Sequence, residues 1–502
     1  MAYEFAHFFD FNGGENQVTS PDNLLKNECL IFRNAIPSLR GGCSKRTGIT
    51  EYKSLSDIRI DRIIEYEYLN EGVPIKKLLV LSNGELIDTD TSIVLKTGLG
   101  RNLSHIIYKN KLYILSNGMY LVYDGGVVSD VTCSETESLL DTIKKCRYIA
   151  VRGNRVFMSG NPDDPNALYF SELGQPEYFK STAGNPIMAM SADGDIITGL
   201  AEFHGAMLVF KSRHIYAWFG YDPLSDAEFQ KLNVHTGTKS FRTIQNVGNY
   251  LYFLGEEGIY ALHGTYKDVI NTAEVSINLR PMFKKIKHKK DYAENTPCAI
   301  YHDGMYMLSV GTVDAENNDT VIVAFHDRVT DESERIPMGV FTGWNISDFL
   351  KSLDGNLYSA SSVTGRIHKH EEVYRDLDQP IEFKVRISPK SMELPIHLKK
   401  FRNGFLALRQ FDYTEASPIN LNIQVDYITK STTLTPEESL VWDIRDWDIS
   451  NWDWTDMVSK KFRIRERGKR LIIEIQDNVI DHNIEIYGVG VEYKVKKPDK
   501  NV

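Results

Sequence analysis

The chain has 502 residues, 42% hydrophobic and 11% aromatic, and its 58 basic and 68 acidic side chains give a formal net charge of -10. This composition excludes disorder over most of the length, and the acidic balance excludes a protein whose whole surface grips nucleic acid, though not a channel through which DNA slides without sticking. No stretch approaches the ~18 uncharged apolar residues of a membrane helix and the opening MAYEFAHFFDFNGG is not a signal peptide, so the expectation is no membrane anchor and synthesis in a reducing, cytoplasm-like compartment.

Residues 1–55 do not read as regular structure. Gly13-Gly14, Pro21, Asn34, Pro37 and Gly41-Gly42 punctuate a polar stretch, which predicts an extended, turn-rich arm with one short turn of helix near Asp22 to Asn27, capped by Asp22. The five cysteines (Cys29, Cys43, Cys133, Cys146, Cys298) contain no CxxC pair, so they read as buried free thiols rather than a zinc site or disulfide framework.

From residue 56 to 378 one grammar repeats: an apolar run, a turn holding Gly or Asn, a second apolar run. It is clearest in HIIYKNKLYILSNGMYLVYD (His105 to Asp124), where Asn117-Gly118 is the strongest short-range hairpin signal. LVLSNGELI (Leu79 to Ile87) restates YILSNGMYL (Tyr113 to Leu121), and turns recur at Gly72, Asn110, Asn154, Gly205, Gly248, Gly304 and Gly355, spaced 38 to 56 residues apart. A period of roughly 40 to 50 residues, each copy a small antiparallel sheet, predicts an all-β fold built on a β-propeller of six to eight blades, best counted as seven. Unrelated hairpins in one large β-sandwich are the alternative.

Several charged stretches read blandly. Lys284, Lys285, Lys287, Lys289 and Lys290 beside Arg280 could meet a phosphate backbone, but they also fit the solvated face of a short inter-blade helix whose Leu279, Met282, Phe283 and Ile286 face the core. Asp163 and Asp164 lack the spacing of a calcium loop.

From Gln379 to residue 495 the pattern becomes strict alternation, as in IEFKVRIS, INLNIQVDYIT and RLIIEIQD, which predicts a separate all-β domain resembling a sandwich; residues 496–502 are expected to be a disordered tail. Within that domain Trp442, Trp447, Trp452 and Trp454 alternate with Asp443, Asp446, Asp448, Asp453 and Asp456. Such a run can fill a small core, anchor a protein interface or stack sugars.

The turn of a sialidase blade, a Gly-x-Ser-x-Gly elbow, His-Glu-x-x-His and phosphate-binding Gly loops are all missing. The expectation is no enzyme, no cofactor and no metal, although a glycosidase needs only two carboxylates roughly 5 to 10 Å apart, which 68 acids leave open.

The first 52 residues carry a resemblance. A Gly-rich Asn segment with Asn16, the turn Ser20-Pro21-Asp22-Asn23-Leu24, Asn27-Glu28, an Asn-containing strand (Phe32 to Ala35) and Lys45-Arg46-Thr47-Gly48 ahead of Tyr52 resemble the opening of bacteriophage tail tube or nozzle proteins, sometimes labelled stabilization proteins. That family commonly has Pro in place of Thr47. In it a propeller follows the arm and a β-rich domain follows the propeller, so the resemblance spans the whole length. It implies a virion tail component, built in the host cytoplasm, that forms a ring, a hexamer, around the DNA ejection channel. The implied partners are further copies of itself, the head-to-tail adaptor protein, tail fibre or tip proteins, and genomic DNA passing without sequence-specific binding. Asn16, Pro21, Arg46, Gly48 and the four tryptophans are the candidate assembly residues. A carbohydrate-binding or glycan-hydrolysing propeller is the alternative, and a scaffold for cellular partners a third reading.

Overall fold

The computed structural model describes residues 3–496 apart from 40, 183–184, 189–193, 221–222, 224–228, 233, 265–270, 287–295, 314, 329–334, 389–396, 410–417 and 436–456. The hairpin signals act as the sequence predicts. At Lys109-Asn110, Asn117-Gly118, Asn83-Gly84, His204-Gly205 and Asp303-Gly304 both turn residues have positive φ, for example 48° at Asn117 and 78° at Gly118. This primed turn matches the right-handed twist of the strands it joins.

Each repeat is a four-stranded antiparallel sheet. Five stand alone, running Ile60–Asn70 to Ile93–Lys96, Ser104–Tyr108 to Val128–Asp130, Tyr148–Arg152 to Ile187–Met188, Ile197–Phe203 to Gln230–Lys231, and Gln245–Val247 to Asn271–Glu274. Two more, Cys298–His302 to Met338–Thr342 and Ile346–Lys351 to Gly365–Glu371 with Gly48–Ser56, lie inside larger sheets, which makes seven blades among the described residues. Neighbouring blades share apolar layers all the way round. Leu79 and Ile64 of blade 1 pack with Leu112 and Ile114 of blade 2, and Tyr358, Ala360 and Ile367 of blade 7 pack with Ile60, Ile63 and Val80 of blade 1, closing the ring. The fold is therefore a β-propeller. Stacking buries both faces of sheets that could not bury them alone.

Beyond the propeller, two sheets face each other as a sandwich. One holds Met457–Arg463, Lys399–Arg409 and Glu485–Val495; the other holds Phe383–Ile387, Leu471–Asp477, Ile419–Val425 and Ile428–Leu434. Alternate residues such as Leu406, Leu408, Val489 and Val491 meet Leu421, Ile423, Ile473 and Ile475 in a common core.

The N-terminal residues, expected as an extended, turn-rich arm, are stitched into both parts. Glu4–Phe8 pairs with the last strand of the sandwich. Ile31–Arg33 pairs in parallel with Val340 at the outer edge of blade 6 and antiparallel with Phe383–Ile387, so one sheet runs continuously from propeller to sandwich. Gly48–Ser56, placed before the propeller by the sequence reading, is the outer strand of blade 7. The helical turn expected at Asp22 to Asn27 is replaced by turns. Asn23 N–H bonds Ser20 O at 2.9 Å, and the Glu28 carboxylate takes the Leu25 N–H at 2.9 Å, a donor a helix would have used otherwise. The inter-blade helix is confirmed only as a 3-10 turn at Ile277–Leu279 and one turn of α-helix at Arg280–Phe283, with Leu279, Phe283 and Ile286 buried. Four cysteines are buried, Cys133 is half-buried, and all five are free.

Candidate functional site

Two places gather side chains beyond what packing requires. The first is the propeller axis. Arg242 sits on the 3-10 turn Phe241–Thr243 ahead of blade 5, yet its guanidinium pairs with Asp348 Oδ1 at 2.7 Å and donates to Ser347 O at 2.7 Å, both in blade 7, and to Asp61 O of blade 1 at 3.4 Å. Blades 5 and 1 are not neighbours, so these groups meet across the axis. Asp348 also faces Arg62 Nε at 2.9 Å and accepts the Ile63 N–H at 3.0 Å. Asp61 in turn holds Arg59 Nε at 3.1 Å and lies 3.7 Å from Arg101 Nε. Four guanidinium groups thus surround two carboxylates. His105, nearby, is pushed down to about 3 by burial and by Arg62 and Arg242, and is neutral at physiological pH.

Burial works to raise the Asp348 carboxyl, but Arg242 and Arg62 outweigh it and hold it below the usual range. A depressed folded value means that its stabilisation is complete above the unfolded value near pH 4 and is lost as pH falls through the folded value. In Asp348→Asn this acid-side component of the pH dependence is expected to disappear, while stability at pH 7 falls by about 3–5 kcal/mol because Arg62 and Arg242 lose their counterion. Urea midpoints from pH 2 to 7 check both; an unchanged acid limb would refute the assignment.

The second place is the outer face of the sandwich. Strand Glu4–Phe8 sets His7 opposite Gly490 and Phe5 opposite Glu492. Alternation turns Phe8 into the core at 3% exposure and leaves Phe5 and Phe9 half exposed, at 52% and 50%. The Phe5 and His7 rings stack at 6.1 Å and 7°, His7 and Phe9 at 5.2 Å and 21°, with Phe405 tilted beside Phe5 at 6.3 Å. Glycines floor this row: a Cβ on Gly488 would lie 1.8 Å from Phe9 Cδ1, and one on Gly490 3.6 Å from His7 Nδ1. The result is a flat aromatic groove of ≈ 230 Å³, bordered by Phe405, Ala407 and Ser459.

Among the described residues no group of His, Cys, Asp and Glu side chains gathers as a metal site would, and no helix is long and apolar enough to cross a membrane.

No family model matches this chain and no curated protein does. Solved structures align with parts of it. The extracellular domain of a hybrid two-component system from B. thetaiotaomicron aligns at 11% identity and a TM-score of 0.40, covering 71% of this chain and 43% of that one. The WD40 domain of Pan2 from Neurospora crassa aligns at 7% and 0.38, covering 66% and 96%. An exo-β-1,3-galactanase from Phanerochaete chrysosporium aligns at 8% and 0.25, covering 79% and 96%. At these values the likeness decides nothing about this chain, whose fold is read from its own sheets.

The residues singled out by the sequence fall into two groups. Trp442, Trp447, Trp452 and Trp454 lie outside the described residues; their run leads into strand Met457–Arg463, whose Ser459 borders the aromatic groove. The others sit where the N-terminal segment joins propeller to sandwich. Asn16 is buried, and its Oδ1 accepts the N–H groups of Val18 at 3.0 Å and Thr19 at 2.9 Å. Pro21 is half-buried in the turn that follows. Arg46, 1% exposed, forks onto Asp376 at 2.8 and 2.5 Å, donates to Asn34 Oδ1 at 2.9 Å and Thr342 O at 2.9 Å, and lies 4.2 Å over the Trp344 ring. Gly48 packs against the Arg375 backbone, and a Cβ there would lie 1.8 Å from Arg375 O. These contacts are all within the chain. The sequence reading missed the axial cluster, whose members are scattered from Arg59 to Asp348, and the aromatic row, whose F-x-H-x-F alternation was visible in the first ten residues.

Proposed function

We propose that this chain is a structural component of a bacteriophage tail, assembling as a ring around the DNA path next to the head-to-tail adaptor. The observation carrying this reading is what the resemblance residues do. Gly14, at φ 64°, lies where a Cβ would meet the Met338 backbone at 2.4 Å; Glu28 accepts from Asn278 Nδ2 at 3.2 Å; Asn34 donates to Glu382 O at 2.8 Å. Lys45 pairs with Asp477 at 2.8 Å with both side chains fully buried. The shared motif is therefore a list of positions that set how propeller and sandwich are joined, and a match at such positions is more specific than a match of turn composition. An acidic balance suits a polyanion that must pass without being held.

Ring closure needs complementary surface on each copy, and the aromatic row offers it. Phe5→Ser with Phe9→Ser is expected to leave the fold intact and convert a ring into monomers, read by light scattering and by electron microscopy with and without the adaptor. Persistent rings in the variant would remove this face from the contact, and monomers in wild type under both conditions would sink the tail reading.

A glycan-binding role is the second reading, favoured by the near-parallel Phe5 and His7 rings, since sugars lie flat on such platforms. Saturable glycan binding by wild-type monomers, abolished by the same double variant, would support it over the ring.

A further inference from the structure

One charged pair lies deeper than an ion pair needs to. Lys45 ends the strand Cys43–Lys45 in one sheet of the sandwich, and Asp477 ends the strand Leu471–Asp477 in the other. Both side chains are 0% exposed, and they meet at 2.8 Å from Nζ to Oδ2. The Lys45 N–H bonds to Ile484 O, and Asp477 lies opposite Phe383, two residues of the apolar core. His482, also buried, holds the other carboxyl oxygen, Oδ1, through Nδ1 at 2.9 Å. A carboxylate only accepts, so that ring nitrogen carries the proton.

The hydrogen bonds here fit a different bond better than they fit an ammonium and a carboxylate. An ammonium has three N–H groups, and among the described residues Lys45 Nζ has two acceptors, Asp477 Oδ2 and Val479 O at 3.1 Å. In an amide between the two side chains, the single N–H would go to Val479 O and the carbonyl oxygen would keep the His482 donor. Every polar atom would then have a partner, and no charge would remain in the core. Burial also pushes the Lys45 amine below its usual value, by more than Asp477 raises it. A desolvated lysine of this kind is a nucleophile, and a fixed contact in a dry core supplies the proximity.

We propose that Lys45 and Asp477 condense into an intramolecular amide, with His482 as the donor that stabilises the reacting carboxyl oxygen. Nζ first passes a proton to Oδ2 across their contact. The neutral amine attacks Cγ, the N–C bond forms, and the negative charge that develops on Oδ1 is met by the His482 N–H. A second proton moves from nitrogen to Oδ2, the Cγ–Oδ2 bond breaks with its electron pair going to oxygen, and water leaves as the carbonyl re-forms. Both protons of that water come from the ammonium, so the step is redox-neutral and needs no co-reactant. The amide joins residues 432 apart in sequence and clips the N-terminal segment to the facing sheet by a tie that persists when the chain unfolds.

The test is mass spectrometry of the full chain under denaturing conditions. Wild type is expected to be lighter than its sequence by one water, and its tryptic digest to hold one branched peptide that joins Lys45 to Asp477. The double variant Lys45→Met with Asp477→Leu replaces the pair by apolar side chains and should fold, at the full mass of its sequence. In His482→Ala the branched peptide should form about a hundredfold more slowly, read as its fraction with time from the start of expression. If that variant fails to fold, the wild-type digest decides alone. Unjoined peptides at full mass in wild type would mean an ion pair only and would overturn the proposal. A loss of water confined to the Asp477 peptide, as a cyclic imide with Asn478 would give, or a His482→Ala rate equal to wild type, would overturn it as well.

Discussion

Replacing Arg46 by alanine is expected to lower the stability of the chain by about 3–5 kcal/mol, because the variant strands Asp376, a carboxylate that is itself nearly buried, without its counterion. The loss goes beyond one ion pair. Asn34 Oδ1 and Thr342 O each lose a donor, and the Trp344 ring loses the guanidinium packed 4.2 Å over it. Those partners belong to the N-terminal segment, to blade 6 and to the strand that follows blade 7, so one side chain ties three stretches far apart in sequence. Arg46→Lys keeps the charge but cannot fork, and should recover less than half of the loss. Urea unfolding followed by circular dichroism measures the global effect, and amide exchange in Ile31–Arg33 and Gly48–Ser56 shows whether the junction opens first. A change below 1 kcal/mol in Arg46→Ala would show that the buried fork is not what joins the two halves.

How much of this could be read from sequence follows from the range over which each interaction acts. Asn117-Gly118 and its counterparts specify hairpins within a few residues, so the propeller was legible, while turn spacing bounded the blade number only to six to eight. Alternation marked the sandwich strands for the same reason. The partner of Gly48–Ser56 is Gly365–Glu371, about three hundred residues away, and nothing local to Tyr52 announces it. Ile31–Arg33 is too short to show a period, and its two partners come from different parts of the chain. The motif residues were noticed as turn formers, whereas Arg46 and Lys45 act through buried charges paired with Asp376 and Asp477. Charged residues ordinarily read as surface, so nothing in Lys45 or Arg46 corrected the reading of an extended, turn-rich arm that the Gly, Pro and Asn punctuation suggests. The axial cluster was hidden by the same logic: each of its arginines looks solvated in one dimension, and only ring closure brings them together.

Gly48→Ala should be nearly as damaging, at about 3 kcal/mol or more, through close approach rather than conformational freedom. The added methyl would sit 1.8 Å from Arg375 O and 2.6 Å from the carbonyl carbon, and both are backbone atoms that cannot swing aside as a side chain could. Gly48 N–H is also bonded to Val373 O at 2.6 Å, and Ile49 pairs in parallel with Asp376. Relief requires the 373–376 segment to lift away, which pulls Asp376 from Arg46. The two substitutions therefore share one displacement, and the double variant Arg46→Ala with Gly48→Ala should lose distinctly less than the sum of the singles. Because Gly48–Ser56 is the strand that completes blade 7 beside blade 1, its amides should lose exchange protection in Gly48→Ala before those of blades 2 to 5. Full additivity, or protection lost evenly around the ring, would mean that the closing strand and the Arg46 fork are independent.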